Sequence, residues 1–392
     1  MKIGKRFILL YILVLFVLIF MPFDFIGAKG EEKTYQDALN NSIFEQLEML
    51  DLEDFEEYLQ SIEQGKELNL KERLLSFISG EALNYESFFQ GIAELLFSKV
   101  KKILPAFACI AAIAILCGLL NTLQSNFLGE SSARIVFFIS YLGALIPLLS
   151  ILASCIISAK GAVASMVTQM QLVFPIMLTL MAASGGTVSV AIYKPSVAFL
   201  SNALVSLIDL VVFPLTICVI VFSMASKFFG EIKTDKFVAF FKSINKWIIG
   251  VGVSVFGLFF TIQGLTAASY DGIVRRAAKY AIGTGVPIVG GFLSGGFDLT
   301  VAGSILIKNS LGTFSLFLLC AVVIEPLILF AATILMLRLT SAVTQPFGES
   351  KISGFLEETA ENLNYFIAGI LFTAFLYFVV ILLLVCSSEV FI

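Results

Sequence analysis

Beyond Lys102 the chain is dominated by apolar stretches too long and too numerous for a single aqueous core. Ile103 to Leu123 and Ile135 to Ala159 are each long enough, at about 1.5 Å per helical residue, to cross a hydrocarbon layer of roughly 30 Å. Trp247 to Ala268, Leu311 to Leu337 and Tyr365 to Cys386 repeat the pattern, and the first and last of these open on an aromatic suited to the headgroup level. Backbone amides find no water in hydrocarbon, so each stretch must close its hydrogen bonds on itself, as a helix. The composition agrees, at 58% hydrophobic and 14% charged, where soluble domains run near 25% charged. The expected fold is an all-α, polytopic helical membrane protein preceded by a small helical extracytoplasmic segment.

Three regions follow. Residues 1–28 read as a signal peptide: Lys2, Lys5 and Arg6 precede the apolar run Phe7 to Met21, and Ile26-Gly27-Ala28 offers a small-residue cleavage site. An uncleaved anchor is the competing reading. Either way the positive flank stays inside and places the next segment outside. Residues 29–102 carry 16 acidic and 8 basic residues, yet their apolar residues recur at helical spacing. Leu52, Phe55, Leu59 and Ile62 share one face, Leu70, Leu74, Leu75 and Ile78 a second, and Phe88, Phe89, Ile92, Leu95 and Leu96 a third. Asn69 and Asn84 are candidate N-caps, and Gly65 and Gly80 candidate stops. So short a unit buries little by itself, so it should dock on the membrane region or on a partner. Its acidic face is either simply solvated or a protein-binding surface. Residues 103–392 form the polytopic region, with about six to eight spans.

Two stretches of that region are less regular. From Val163 the apolar run includes Thr168, Gln169, Gln171 and Pro175 and breaks at Ser184-Gly185-Gly186-Thr187. Val197 to Phe229 exceeds one bilayer thickness and carries Asp209 and Pro214, which implies a kink, two half-spans or a hairpin near Pro214. Val173-Phe174-Pro175-Ile176 recurs as Val212-Phe213-Pro214-Leu215, a weak hint of an internal repeat with broken helices. Residues 273–310 read as short, broken or re-entrant helices because of Gly283, Gly285, Gly290, Gly291, Gly295 and Gly296.

Lys233, Lys236, Lys242 and Lys246 alternate with Phe237, Phe240, Phe241 and Ile244, the pattern of a basic amphipathic helix on a cytoplasmic, anionic membrane face. Arg275, Arg276 and Lys279 form a second basic cluster. If one span separates the clusters, either 247–268 re-enters or one cluster faces outward onto lipid phosphate or a partner.

Several chemistries are excluded. The chain has no histidine, which removes Ser-His-Asp and HExxH sites. Cys109, Cys117, Cys155, Cys218, Cys320 and Cys386 stand apart in apolar runs and read as small hydrophobes. Gly283-Thr284-Gly285 follows no strand, and there is no Walker-type loop, so no nucleotide cofactor is expected, nor a metal or nucleic-acid partner. Asp209, Asp298 and Glu325 remain. A carboxylate at membrane depth needs a cation, a proton or water. Each is therefore either half of an ion pair with Arg275, Arg276, Lys279 or Lys308, or part of a polar pathway, with Pro214 and Pro326 as hinges. An aspartyl protease site built from Asp209 and Asp298 is a remote third reading.

Gln263-Gly264, Ala267-Ala268, Asp271-Gly272, Arg276-Ala277-Ala278-Lys279, Gly283-Thr284, Val286-Pro287-Ile288-Val289-Gly290-Gly291, Leu306-Ile307-Lys308-Asn309 and Gln345-Pro346 stand in an order that resembles the stage III sporulation protein AE family. The resemblance covers essentially the whole chain and is most specific from Gln263 to Pro346. It implies a non-enzymatic subunit of the channel, or feeding tube, that endospore-forming bacteria build between mother cell and forespore. It implies a seat in the outer forespore membrane, and partners among the ring-forming and ATPase products of the same operon together with a forespore-made protein. It carries over no catalytic residue. The alternative is a self-sufficient permease for a small solute, with the three carboxylates along its path.

Overall fold

A computed structural model of the chain describes residues 33–61, 70–79, 85–127, 130–229, 234–285, 290–347 and 350–387. The signal-peptide region, Asn69, Asn84, Gly65, Gly80 and Lys233 lie outside those residues. All described elements are helical. They are α1 (Lys33–Met49), α2 (Glu53–Ser61), α3 (Leu70–Ser79), α4 (Tyr85–Phe127), α5 (Glu130–Ala183), α6 (Thr187–Leu207), a π turn (Ile208–Val212), α7 (Phe213–Phe229), α8 (Asp235–Gly285), α9 (Gly290–Thr344), a 3-10 turn (Gln345–Phe347) and α10 (Ser350–Cys386). Among the described residues six stretches are long and apolar enough to cross a membrane: Ala93–Leu119, Tyr141–Ala183, Ile208–Ser226, Asp235–Phe259, Asp298–Thr344 and Ile352–Cys386. The chain is a multi-pass membrane protein.

The helices run alternately up and down. Cys155 meets Thr333 and Met177 faces Gly312, so α5 is antiparallel to α9. Phe330 stacks on Phe366 and Lys308 reaches Val385, so α10 is antiparallel to α9 as well. Tyr141 and Lys160 of α5 meet Met224 and Asp209 across the bundle, and Ser226 and Thr216 of α7 meet Asp235 and Asn245 of α8. One end of the bundle therefore gathers the connections 127–130, 229–235 and 344–350. The opposite end gathers 183–187, 285–290 and the C-terminal Ser387. The central helix is α10: Phe366, Ile370, Phe372, Leu376, Tyr377, Ile381 and Leu384 are all buried.

Local chemistry explains the breaks and the continuities. Helix α5 ends where Gly185 takes φ 89°, with Gly186 N–H donating to Met181 O at 2.8 Å and Gly185 N–H to Ala182 O at 3.0 Å. That is a Schellman end, which glycine alone adopts without a Cβ penalty. Helix α5 otherwise runs unbroken through Pro147 and Pro175, so the stretches 135–159 and 163–183 belong to one 54-residue helix. Between Val197 and Phe229 the chain also stays helical, through the π turn. Pro214 has no N–H to give the carbonyl four residues back, and Phe213 N–H instead donates five back, to Ile208 O. The basic segment from Lys236 to Lys246 is the opening of α8 and continues through Trp247 as one 51-residue helix. It enters the bundle because Phe237 and Phe241 both stack on Phe222 of α7. Within the glycine-rich stretch 280–308, residues 280–285 are the end of α8 and residues 290–308 the start of α9.

The N-terminal helices bury the apolar faces their periodicity implies, with Leu52, Phe55, Leu59, Leu70 and Leu74 at 4% exposure or less. They pack on the membrane region at the 183–187 end. Gln46 donates to Thr300 O at 3.1 Å and accepts from Ser304 Oγ at 2.7 Å. Phe55 lies edge-on to Phe314, and Tyr58 OH donates to Ser165 O at 3.3 Å.

Candidate functional site

The charged residues of the long helices are where function and structure compete. Asp209 sits in the π turn and meets Lys160 Nζ at 2.9 Å. The extra residue of a π turn rotates its side chains relative to a regular helix, which here presents Asp209 to α5. Glu325, immediately before the buried Pro326 inside α9, meets Lys99 of α4 at 2.6 Å. Both pairs are part-exposed, at 46% and 37% for the first and 26% and 50% for the second. Asp298 is half-buried near the beginning of α9, in the turn that carries Thr300.

The basic candidates part company. Lys308 is fully buried and donates to Val385 O at 2.7 Å, so it ties α9 to the end of α10. Lys242 meets Glu358 at 3.4 Å, while Lys236 and Lys246 are exposed. Arg275, Arg276 and Lys279 lie on the last turns of α8, and their side chains are outside the described ones. One helix thus carries both basic clusters at its opposite ends.

The cations that meet Asp209 and Glu325 are Lys160 and Lys99, which the sequence reading did not nominate. A signal existed in that Lys160 is the first charge after Ile135 in a stretch otherwise uncharged to Ala183. Polar contacts between helices were also missed. Asn245 Nδ2 donates to Thr216 Oγ1 at 3.0 Å, and the Ser341 and Ser353 hydroxyls meet at 3.0 Å beside the 3-10 turn. Interhelical hydrogen bonds of this kind substitute for the missing hydrophobic drive in lipid.

The recurring Val-Phe-Pro phrase has a packing role. Phe174 lies 5.8 Å from Tyr377 and Phe213 lies 5.1 Å from Phe366, so both phenylalanines grip α10. No disulfide joins the cysteines among the described residues: Cys117 and Cys155 are buried, while Cys109, Cys218 and Cys386 are exposed. Among the described residues no three His, Cys, Asp or Glu side chains converge in a metal-binding group.

A family model described as Stage III sporulation protein AE matches residues 68–388. The chain is similar to the Stage III sporulation protein AE of Bacillus subtilis strain 168, at 25% identity over 320 residues, covering 81% of this chain and 80% of that protein. No solved structure matches.

Proposed function

The chain belongs to the stage III sporulation protein AE family, and from that membership we propose that it is a non-enzymatic membrane subunit of the channel between mother cell and forespore. Its seat is the outer forespore membrane, its N-terminal segment is extracytoplasmic, and its partners are ring-forming and ATPase proteins of the same operon and a forespore-made protein. The observation that supports a subunit over a self-sufficient permease is the pairing of Asp209 and Glu325. Asp209 and Glu325 each face a lysine of another helix. Carboxylates engaged in this way hold helices together rather than offering a solute a vacant site.

The test is affinity purification of the tagged full chain from sporulating cells, paired with flux assays on the chain alone in vesicles. Co-purification of ring-forming or ATPase proteins, lost on deleting residues 29–102, is the expected result. Selective solute flux through the isolated chain, abolished by Asp298→Asn in a protein that still folds, would establish the permease instead.

A further inference from the structure

Helices α1 and α3 both lie along α9, whereas α2 bridges two helices. Its Phe55 is edge-on to Phe314 of α9, and its Tyr58 hydroxyl donates to Ser165 O of α5 at 3.3 Å. Beneath this bridge the bundle presents polar groups. Gln169, one turn beyond Ser165, lies against the Tyr58 hydroxyl. Tyr377 of α10 stands beside Ser315 of α9 and close enough to Tyr58 for the two phenols to interact. Gln169, Ser315 and Tyr377 are all fully buried.

These groups are poorly matched to one another. Ser315 donates its proton to Leu311 O at 2.6 Å, and Tyr58 donates its own to Ser165 O. Among the described residues, neither amide atom of Gln169 completes a hydrogen bond, and nor does the Tyr377 hydroxyl. A buried polar group in that state forfeits the bonds that water would give it. The closed position of α2 is therefore destabilised by the surface it covers, and hydration of that surface favours opening.

Helix α2 is also the weakest element of the N-terminal segment. It has nine residues, fewer than the roughly 12 to 15 that a lone helix needs in water. It contains no basic residue, and the exposed Glu53 and Glu57 repel each other one turn apart. Its outward carboxylates Glu53, Asp54 and Glu57 require water at the rim of the covered surface. What holds it shut is apolar, namely Phe55 and Leu59, each at 1% exposure. Helix α1 is fastened differently, because Gln46 donates to Thr300 O and accepts from Ser304 Oγ, both on α9.

We propose that α2 is a lid: α1 stays fastened to α9 through Gln46 while α2 lifts and admits water to Gln169, Ser315 and Tyr377. The bundle thus has a closed state, seen here, and an open state at the end that carries the N-terminal helices. Local opening of this kind draws on the least stable element of a fold.

The test is amide hydrogen exchange of the full chain in lipid nanodiscs. Residues 53–61 are expected to exchange at least tenfold faster than residues 43–49 of α1 and 300–318 of α9. Gln169→Leu and Tyr377→Phe remove the groups that favour opening, so each should slow exchange of residues 53–61 severalfold. Phe55→Ala weakens the closing contact and should speed it tenfold or more, with residues 300–318 unchanged; should that variant fail to fold, the other two decide. Exchange of residues 53–61 in step with 43–49 or with 300–318 would mean that no separate lid exists. Unchanged or faster exchange in both Gln169→Leu and Tyr377→Phe would mean that the polar groups fasten α2 or are indifferent to it. Either result overturns the proposal. Water entry is read separately, in a chain whose native cysteines are alanine. Gln169→Cys should react with a water-soluble maleimide, and Met177→Cys, buried against Gly312, should not. No reaction at position 169, or equal reaction at both, would likewise overturn it.

Discussion

Asp209 shows how much of a residue's role depends on its partner. An isolated carboxylate among apolar helices is costly, while one held 2.9 Å from Lys160 is compensated. Removing either charge strands the other. Asp209→Asn and Lys160→Gln should each lower stability by about 1 kcal/mol, the upper range for part-exposed pairs. The double variant should lose less than the sum, with the coupling read from thermal unfolding in detergent. Additive losses would mean that the pair contributes nothing. Tyr58, on the N-terminal helices, is the residue whose ionisation bears on docking. Burial raises the pKa of its hydroxyl above the ordinary 10.0. A raised folded-state value means that its contribution is complete below pH 10 and disappears as pH rises beyond it. Alkaline washing should therefore increase protease access to residues 33–79 before it disturbs the membrane helices. Tyr58→Phe, which cannot ionise, should flatten that pH dependence.

At the scale of elements, the helix ends and contacts explain which sequence signals were sufficient. The glycines at 184–187 mark a break in the sequence, and Gly185 makes one, because a left-handed residue followed by a 6→1 hydrogen bond is local chemistry. Gly185→Ala should cost about 1 kcal/mol through its positive φ, measurable as a lowered unfolding temperature of the detergent-solubilised chain. The glycines of 283–296 looked like the same signal, yet they lie in the ends of two long helices. Glycine also serves where a neighbour comes too near for a Cβ. Gly312 is such a place, where a Cβ would overlap Val385 of α10. Because Val385 is β-branched and cannot swing aside freely, Gly312→Ala should destabilise by about 1 to 3 kcal/mol through overpacking. Wild-type stability for that variant would show that α9 and α10 can separate without cost. The basic stretch 236–246 has the periodicity of a surface helix, but Phe222 of α7 supplies the stacking surface that draws it into the bundle.

For the whole molecule, the sequence alone determined the class of solvent and the class of structure. Long apolar runs require lipid, lipid requires internally bonded backbone, and the 3.6-residue period of the N-terminal segment requires amphipathic helices. The family signature of a sporulation membrane protein was legible on the same basis, in motifs read along the chain. Only the tertiary structure decided which lysine meets which carboxylate, since Lys99 and Glu325 are 226 residues apart. It alone showed that α10 spends its apolar surface on protein and that Phe174 and Phe213 grip one helix. Helical periodicity and end signals are written in neighbours a few positions apart, whereas burial and pairing depend on which other helix arrives. No local pattern encodes that.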